Sequence, residues 1–166
     1  HGRLEAVTDA RTGATTYGYN EADQVTSVKT PAPGPGQTAQ TTTTLFDPML
    51  LPRQVIQPDG AAITQEHSQS GQLKRSFGAR SYPAGYSYDA QGRMKTLTTW
   101  GSFSSGAGFR TTTCNYDPYR GFLSHKRYPD NTGPDYAYTP AGRLETRFWA
   151  RGNPRLAATY AYNNAG

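Results

Sequence analysis

Three histidines, twelve carboxylates and a single cysteine are the side chains of this 166-residue chain that could carry acid–base, nucleophilic or metal chemistry. Such chemistry needs these groups to converge at characteristic spacings. His1, His67 and His125 lie far apart, with no Cys or acidic partner at metal-ligand spacing. His125, beside Lys126 and Arg127, reads as a surface residue. Asp47, Asp89 and Asp117 occupy turn positions, where only stacking of neighbouring turns would bring two carboxylates together, giving a weak cation site at most. Glycine-rich phosphate loops and serine nucleophile elbows are absent from the sequence. Cys114 excludes an intramolecular disulfide and reads as a small hydrophobe. No catalytic, cofactor-binding or metal-ligating residue is assigned, and the chain is expected not to be an enzyme.

What the aspartates share is a phrase. Seven times the chain returns to an aromatic pair two residues apart, an acidic or amide residue, and a glycine before an apolar residue. The first aromatics include Tyr17, Tyr86, Tyr136 and Tyr160, and Cys114 stands in this slot once. The second aromatics are Tyr19, Phe46, Tyr88, Tyr116, Tyr138 and Tyr162, with His67 in the third copy. The closing glycines are Gly71, Gly92, Gly121, Gly142 and Gly166; Asp23 replaces the first, and the second copy has lost it. Successive second aromatics are 27, 21, 21, 28, 22 and 24 residues apart, the period of a repeat protein.

Each phrase predicts a β-hairpin. Strand side chains alternate, so Tyr-x-Tyr puts both rings on one face. The Asp or Asn accepts backbone hydrogen bonds two residues on, and the glycine takes the left-handed conformation that ends a type I turn with a bulge. A second turn signal lies between phrases, as in Pro58-Asp59-Gly60 and Pro129-Asp130-Asn131. Strand and turn thus alternate, predicting an all-β antiparallel meander of about a dozen short strands, two per repeat. The 1–166 array is expected to hold six to seven hairpin repeats, with loop insertions near 30–40 and 100–109. Trp100 and Phe109 in the latter either pack under the loop or offer a contact surface.

Composition agrees. Only 34% of residues are hydrophobic and Tyr, at 12, exceeds Met, Ile and Val, so a thick aliphatic core is excluded. A thin sheet held by rings stacked across strands is expected instead. Net charge is +5, carried by arginine, which follows the phrase glycine at Arg3, Arg93 and Arg143. At that slot its guanidinium is expected to stack on Tyr or bond Asp. The alternative is a basic stripe for acidic glycan or nucleic acid, but no Lys/Arg run exceeds two, which speaks against nucleic acid. No apolar run approaches the ~18 residues of a membrane span.

Tyr17-Gly18-Tyr19-Asn20, Tyr86-Ser87-Tyr88-Asp89, Asn115-Tyr116-Asp117, Gly92-Arg93-Met94 and Gly142-Arg143-Leu144 resemble the YD-repeat, or Rhs-repeat, family over essentially the whole chain. The resemblance implies a β-strip that spirals into a hollow shell or tube. Relatives include bacterial polymorphic toxins, toxin-complex components and teneurin adhesion proteins. It further implies an extracellular or cell-surface bacterial setting, edge-to-edge partners (neighbouring repeats or copies of the chain), and possible glycan or protein binding. In toxin relatives the shell encloses a toxic domain, which this chain does not contain. Tyr116-Asp117-Pro118 loosely resembles the motif that ends such shells, but two repeats follow it, so it reads as an ordinary unit with one extra turn residue. Both termini fall inside a phrase, so the chain is expected to be a section of a longer protein.

Overall fold

The computed structural model describes residues 2–163. Among them are fourteen strands and no helix. The first seven are β1 (Ala6–Asp9), β2 (Gly13–Tyr19), β3 (Val25–Thr30), β4 (Gln40–Phe46), β5 (Pro52–Ile56), β6 (Ala62–His67) and β7 (Leu73–Gly78). The others are β8 (Ser81–Tyr88), β9 (Met94–Ser102), β10 (Ala107–Tyr116), β11 (Leu123–Arg127), β12 (Asp135–Tyr138), β13 (Leu144–Gly152) and β14 (Arg155–Thr159). Strand order in the sheet is the chain order, and the pairs are antiparallel. The expected all-β meander is what is found. The chain divides into two compact units, residues 1–83 and 84–166.

The described phrase turns share one backbone plan, with one extra residue in the fifth. In the fourth copy, Gly92 N–H donates to Asp89 C=O at 3.0 Å and Asp89 N–H to Arg93 C=O at 2.9 Å. The Asp89 carboxylate closes the loop from the side, its Oδ1 accepting from the N–H groups of Gln91 and Arg93 at 3.0 and 2.9 Å. Gly92 has φ +78°, the left-handed turn of the type I plus bulge hairpin. The strand register slips just before the second aromatic, as at Ser87/Tyr88, Asn115/Tyr116 and Ala137/Tyr138. In the second copy, without a glycine, Leu50 itself adopts φ +62°.

Three expectations change. Residues 100–109 are not a loop: β9 and β10 continue through them to a tip closed by Gly106 N–H donating to Phe103 C=O at 3.1 Å. The alternating Thr, Trp and Phe side chains favour extended pairing over an irregular insertion. His125 is half-buried on β11, with Ser124 Oγ 3.2 Å from its Nδ1, because β11 is flanked by β10 and β12. Rings are also met by arginine and not by rings alone. Phe122 and Tyr138 stack at 4.9 Å, but the rings of Tyr19, Tyr116 and Tyr162 are met by arginine.

Packing is thin. Cys114, 4% exposed, is the buried hydrophobic side chain among the described residues, and no side chain there is fully enclosed. The chain exposes 11479 Å², against about 8,100 Å² for a compact protein of 18 kDa. With so little apolar burial, cohesion rests on the sheet ladder and on polar ties between repeats.

Candidate functional site: the joint between repeats

Arg93 is the fullest example of such a tie. It follows the αL glycine, so its side chain leaves the turn towards the next phrase. Its Nε donates to Asp89 Oδ2 of its own turn at 2.7 Å, and its Nη1 donates to the Gly121 carbonyl of the next turn at 3.1 Å. Between these anchors the guanidinium carbon lies 4.3 Å from the centre of the Tyr116 ring. Tyr116 reaches back in turn, its hydroxyl donating to the Met94 carbonyl at 2.8 Å. Turn, guanidinium, ring and strand are thus locked across one repeat period. Burial raises the Tyr116 phenol above its ordinary value of 10.0, with Cys114 and Asp89 adding to the rise and Arg93 opposing it. The hydroxyl therefore stays a donor at neutral pH.

The tyrosine half recurs. Tyr19, Tyr138 and Tyr162 donate through their hydroxyls to the carbonyls of Leu4, Leu123 and Leu144 at 2.7, 3.0 and 2.6 Å. Each acceptor belongs to the apolar residue after the preceding turn. Burial, and then Tyr136, raise the Tyr138 phenol as well. Arg3 lies 5.7 Å from the Tyr19 ring centre and pairs with Asp23; Arg143 lies 5.2 Å from that of Tyr162. The turn-to-turn half recurs too. Gln24 Nε2 donates to the Leu50 carbonyl at 2.7 Å, and Arg120 Nη2 donates to Thr139 C=O at 2.8 Å and Pro140 C=O at 3.0 Å.

Residue type does not mark Gln24 and Arg120 in the sequence, although Gln24 stands in the slot of Arg93, directly after the left-handed Asp23. The signal was position, not residue type.

The remaining phrase residues fall into place around these joints. Tyr17 pairs with Val28, Tyr86 with Leu97 and Tyr136 with Arg147 in strand register. Tyr88 stands opposite Met94 and Phe46 opposite Pro52. Tyr160 N–H donates to Glu145 C=O at 2.9 Å. Asp47 Oδ1 accepts from Met49 and Leu51 N–H, and Asp117 Oδ1 from Tyr119 and Arg120 N–H. Gly71, Gly121 and Gly142 are left-handed at φ +81°, +73° and +84°. Gly121 closes on Asp117 one residue later than its counterparts do, the extra turn residue that Pro118 signalled. Gly166 lies outside the described residues. His67, in a tyrosine slot, is nearly buried with Nδ1 3.6 Å from Asp47 Oδ2. No group of three or more His, Cys, Asp or Glu side chains converges among the described residues.

Part of the sequence and the fold have known counterparts. Residues 1–33 match the family model of the RHS repeat. The resemblance to Rhs repeats is borne out. Among solved structures, the TcdB2-TccC3-Cdc42 crystal structure aligns with TM-score 0.64 and 16% identity over 82% of this chain and 8% of that one. TcdB2-TccC3 without its hypervariable C-terminal region aligns with TM-score 0.63, 16% identity and the same coverages. A Tc holotoxin pore of Photorhabdus luminescens gives TM-score 0.62 and 14% identity over 82% of this chain and 7% of its own. At this identity the likeness is one of fold, and this chain spans less than a tenth of those proteins. No curated protein matches it.

Proposed function

We propose that this chain is a non-catalytic length of wall in a larger, bacterial, extracellular Rhs-repeat protein, and that its 1–166 array extends by adding repeats to repeats. The observation that carries the reading is the joint. The residues that recur from phrase to phrase are tied to each other across the repeat period, not directed at a common reaction centre. Thin packing supports it: a chain with this much exposed surface gains by continuing into further repeats. β1 is exposed along its whole length and pairs only with β2 among the described residues, so it offers unpaired backbone to a next strand. By its resemblance to the toxin relatives of the repeat family, the complete wall encloses a separate toxin domain.

The test is assembly. The isolated chain should form concentration-dependent particles in sedimentation velocity, and extending it at both ends by flanking Rhs repeats should suppress them. A chain that stays monomeric across the concentration range, with melting unchanged by the added repeats, overturns the reading.

A further inference from the structure

The joint between the second and third phrases has neither the arginine nor the tyrosine of the Arg93–Tyr116 joint. In the latter, Asp89 Oδ1 caps its own turn and Oδ2 accepts from Arg93 Nε at 2.7 Å. In the second phrase the cap is the same, Asp47 Oδ1 accepting from the N–H groups of Met49 and Leu51 at 2.8 and 2.9 Å. The residue in the slot of Arg93 is Leu51, directly after the left-handed Leu50. Its side chain lies against the next turn, 3.7 Å from where a Cβ on Gly71 would stand, but brings no donor for Asp47 Oδ2. The ring of this joint is changed as well. His67 stands where Tyr116 does, and its Nδ1 lies 3.6 Å from Asp47 Oδ2.

This pair is enclosed but not closed. The two side chains are 9% and 17% exposed, and the His67 Nδ1 is buried without a hydrogen-bond partner. At 3.6 Å its contact with Asp47 is longer than a hydrogen bond. The other charges on the elements packed against β6 are engaged elsewhere. Arg53 of β5 and Lys74 of β7 are exposed, and Glu66 of β6 pairs with Arg75 of β7 at 2.8 Å. Asp59 and Arg80, beyond the other end of the β6–β7 hairpin, form an ion pair of their own. The turn 68–72 carries no charged residue. A neutral imidazole has one donor nitrogen and a protonated one has two. A proton on His67 therefore supplies what Leu51 does not, a cation beside Asp47 Oδ2.

We propose that His67 and Asp47 form a proton-operated latch: on taking up a proton, His67 closes onto Asp47 and ties the second phrase to the third. An arginine joint is charged at every physiological pH, whereas a histidine changes charge between about pH 5 and pH 8. Burial disfavours the charged ring, and the carboxylate at hand offsets that cost. A charge-assisted hydrogen bond out of contact with solvent is also little screened. The sign follows from linkage. The folded joint holds a carboxylate beside the imidazolium and the unfolded chain does not, so folding favours the protonated ring. The latch's contribution is then complete in mild acid and is lost as pH rises towards about 8. One joint of the first unit thus tightens over a range in which the arginine joints keep their charge. Both residues lie within residues 1–83, so the inference is independent of whether the wall continues past either end.

A double-mutant cycle at two pH values tests the latch. Urea unfolding of the whole chain is followed through amide NMR signals of residues 1–83, at about pH 5.5 and at about pH 8. Asp47→Asn keeps the Oδ1 cap and removes the charge, and His67→Gln removes the titrating ring. At the lower pH the two should be coupled by at least about threefold in the folding equilibrium, and at the higher pH the coupling should vanish. The wild-type midpoint should rise from the higher pH to the lower. Either substitution should abolish most of that rise, whereas His125→Gln should keep it. If His67→Gln does not fold, His67→Tyr, which restores the residue most phrases carry, reads the loss of pH response instead. Coupling of equal size at both pH values overturns the latch, as does a wild-type midpoint that fails to rise or a rise that survives either substitution.

Discussion

The Arg93 guanidinium covers the Tyr116 ring at 4.3 Å while donating to the turns on either side of it, at Asp89 and at Gly121. One side chain thereby serves two repeats. Separating its contributions calls for a double-mutant cycle. Tyr116→Phe removes the donor to the Met94 carbonyl and should cost about 1 kcal/mol in urea unfolding. Arg93→Met, which keeps the stem and loses the charge, should cost about 1–2 kcal/mol, and the pair should be sub-additive by about 0.5–1 kcal/mol. Strict additivity would mean that ring and guanidinium are merely neighbours.

Leu50 is a leucine where most described phrases place glycine, at φ +62°. A left-handed conformation costs an L-residue roughly 1–2 kcal/mol, while glycine loses about 0.5–1 kcal/mol of extra chain entropy. Leu50→Gly should therefore stabilise the first unit by about 0.5–1 kcal/mol. Gly142→Ala should do the reverse by about 1–3 kcal/mol, since a Cβ there meets the Phe122 ring at 2.8 Å as well as a φ of +84°. Denaturant midpoints that move the other way would contradict the turn geometry.

Acid should loosen the joints from the carboxylate side. At Asp135 burial raises the carboxyl, but hydrogen bonds and charge from Arg155 and Arg127 outweigh it and bring it below the ordinary 3.8. Asp89 is lowered in the same sense: burial opposes, and the Arg93 N–H, the Arg93 guanidinium and the Gln91 N–H prevail. Groups depressed by folding stabilise fully above their unfolded values, and that stability is lost as pH falls through the folded ones. As far as these two carboxylates govern it, the melting temperature should be flat between about pH 5 and pH 8 and fall below about pH 4. In Asp135→Asn the acid limb should shrink; a limb of unchanged size places the titration elsewhere.

Cys114 stands in the first-aromatic slot, and the repeat pattern alone would recommend tyrosine there. Its side chain is 4% exposed, so Cys114→Tyr should destabilise by about 1–3 kcal/mol through overpacking. The thiol of the wild type should also resist a water-soluble thiol reagent until the chain unfolds. Rapid labelling of the native chain would show that the second unit opens at this point.

The turns were legible because their chemistry is local. An Asp side chain reaches the amides two and four residues on, as Asp89 does with Gln91 and Arg93, and the left-handed residue sits at the turn's own end. Four phrases carry their glycine into the described residues, at Gly71, Gly92, Gly121 and Gly142, opening on Ser68, Asp89, Asp117 and Thr139. Less legible was the turn at Ala79-Arg80, with Arg80 at φ +62°, because neither residue type advertises that conformation. Residues 100–109 misled for the opposite reason. Glycine and serine suggested a loop, while Trp100 pairs with Phe109 in strand register.

From sequence alone came the strand-and-turn alternation and the slot that each Tyr, Asp and Arg would occupy. Those follow from interactions spanning four or five residues, which every phrase repeats. Tertiary structure decided where the side chains leaving those slots arrive. Tyr116 to Met94, Arg93 to Gly121 and Gln24 to Leu50 are bonds between residues more than twenty positions apart. Their partners are set by the register of several successive strands, and no single phrase contains that register.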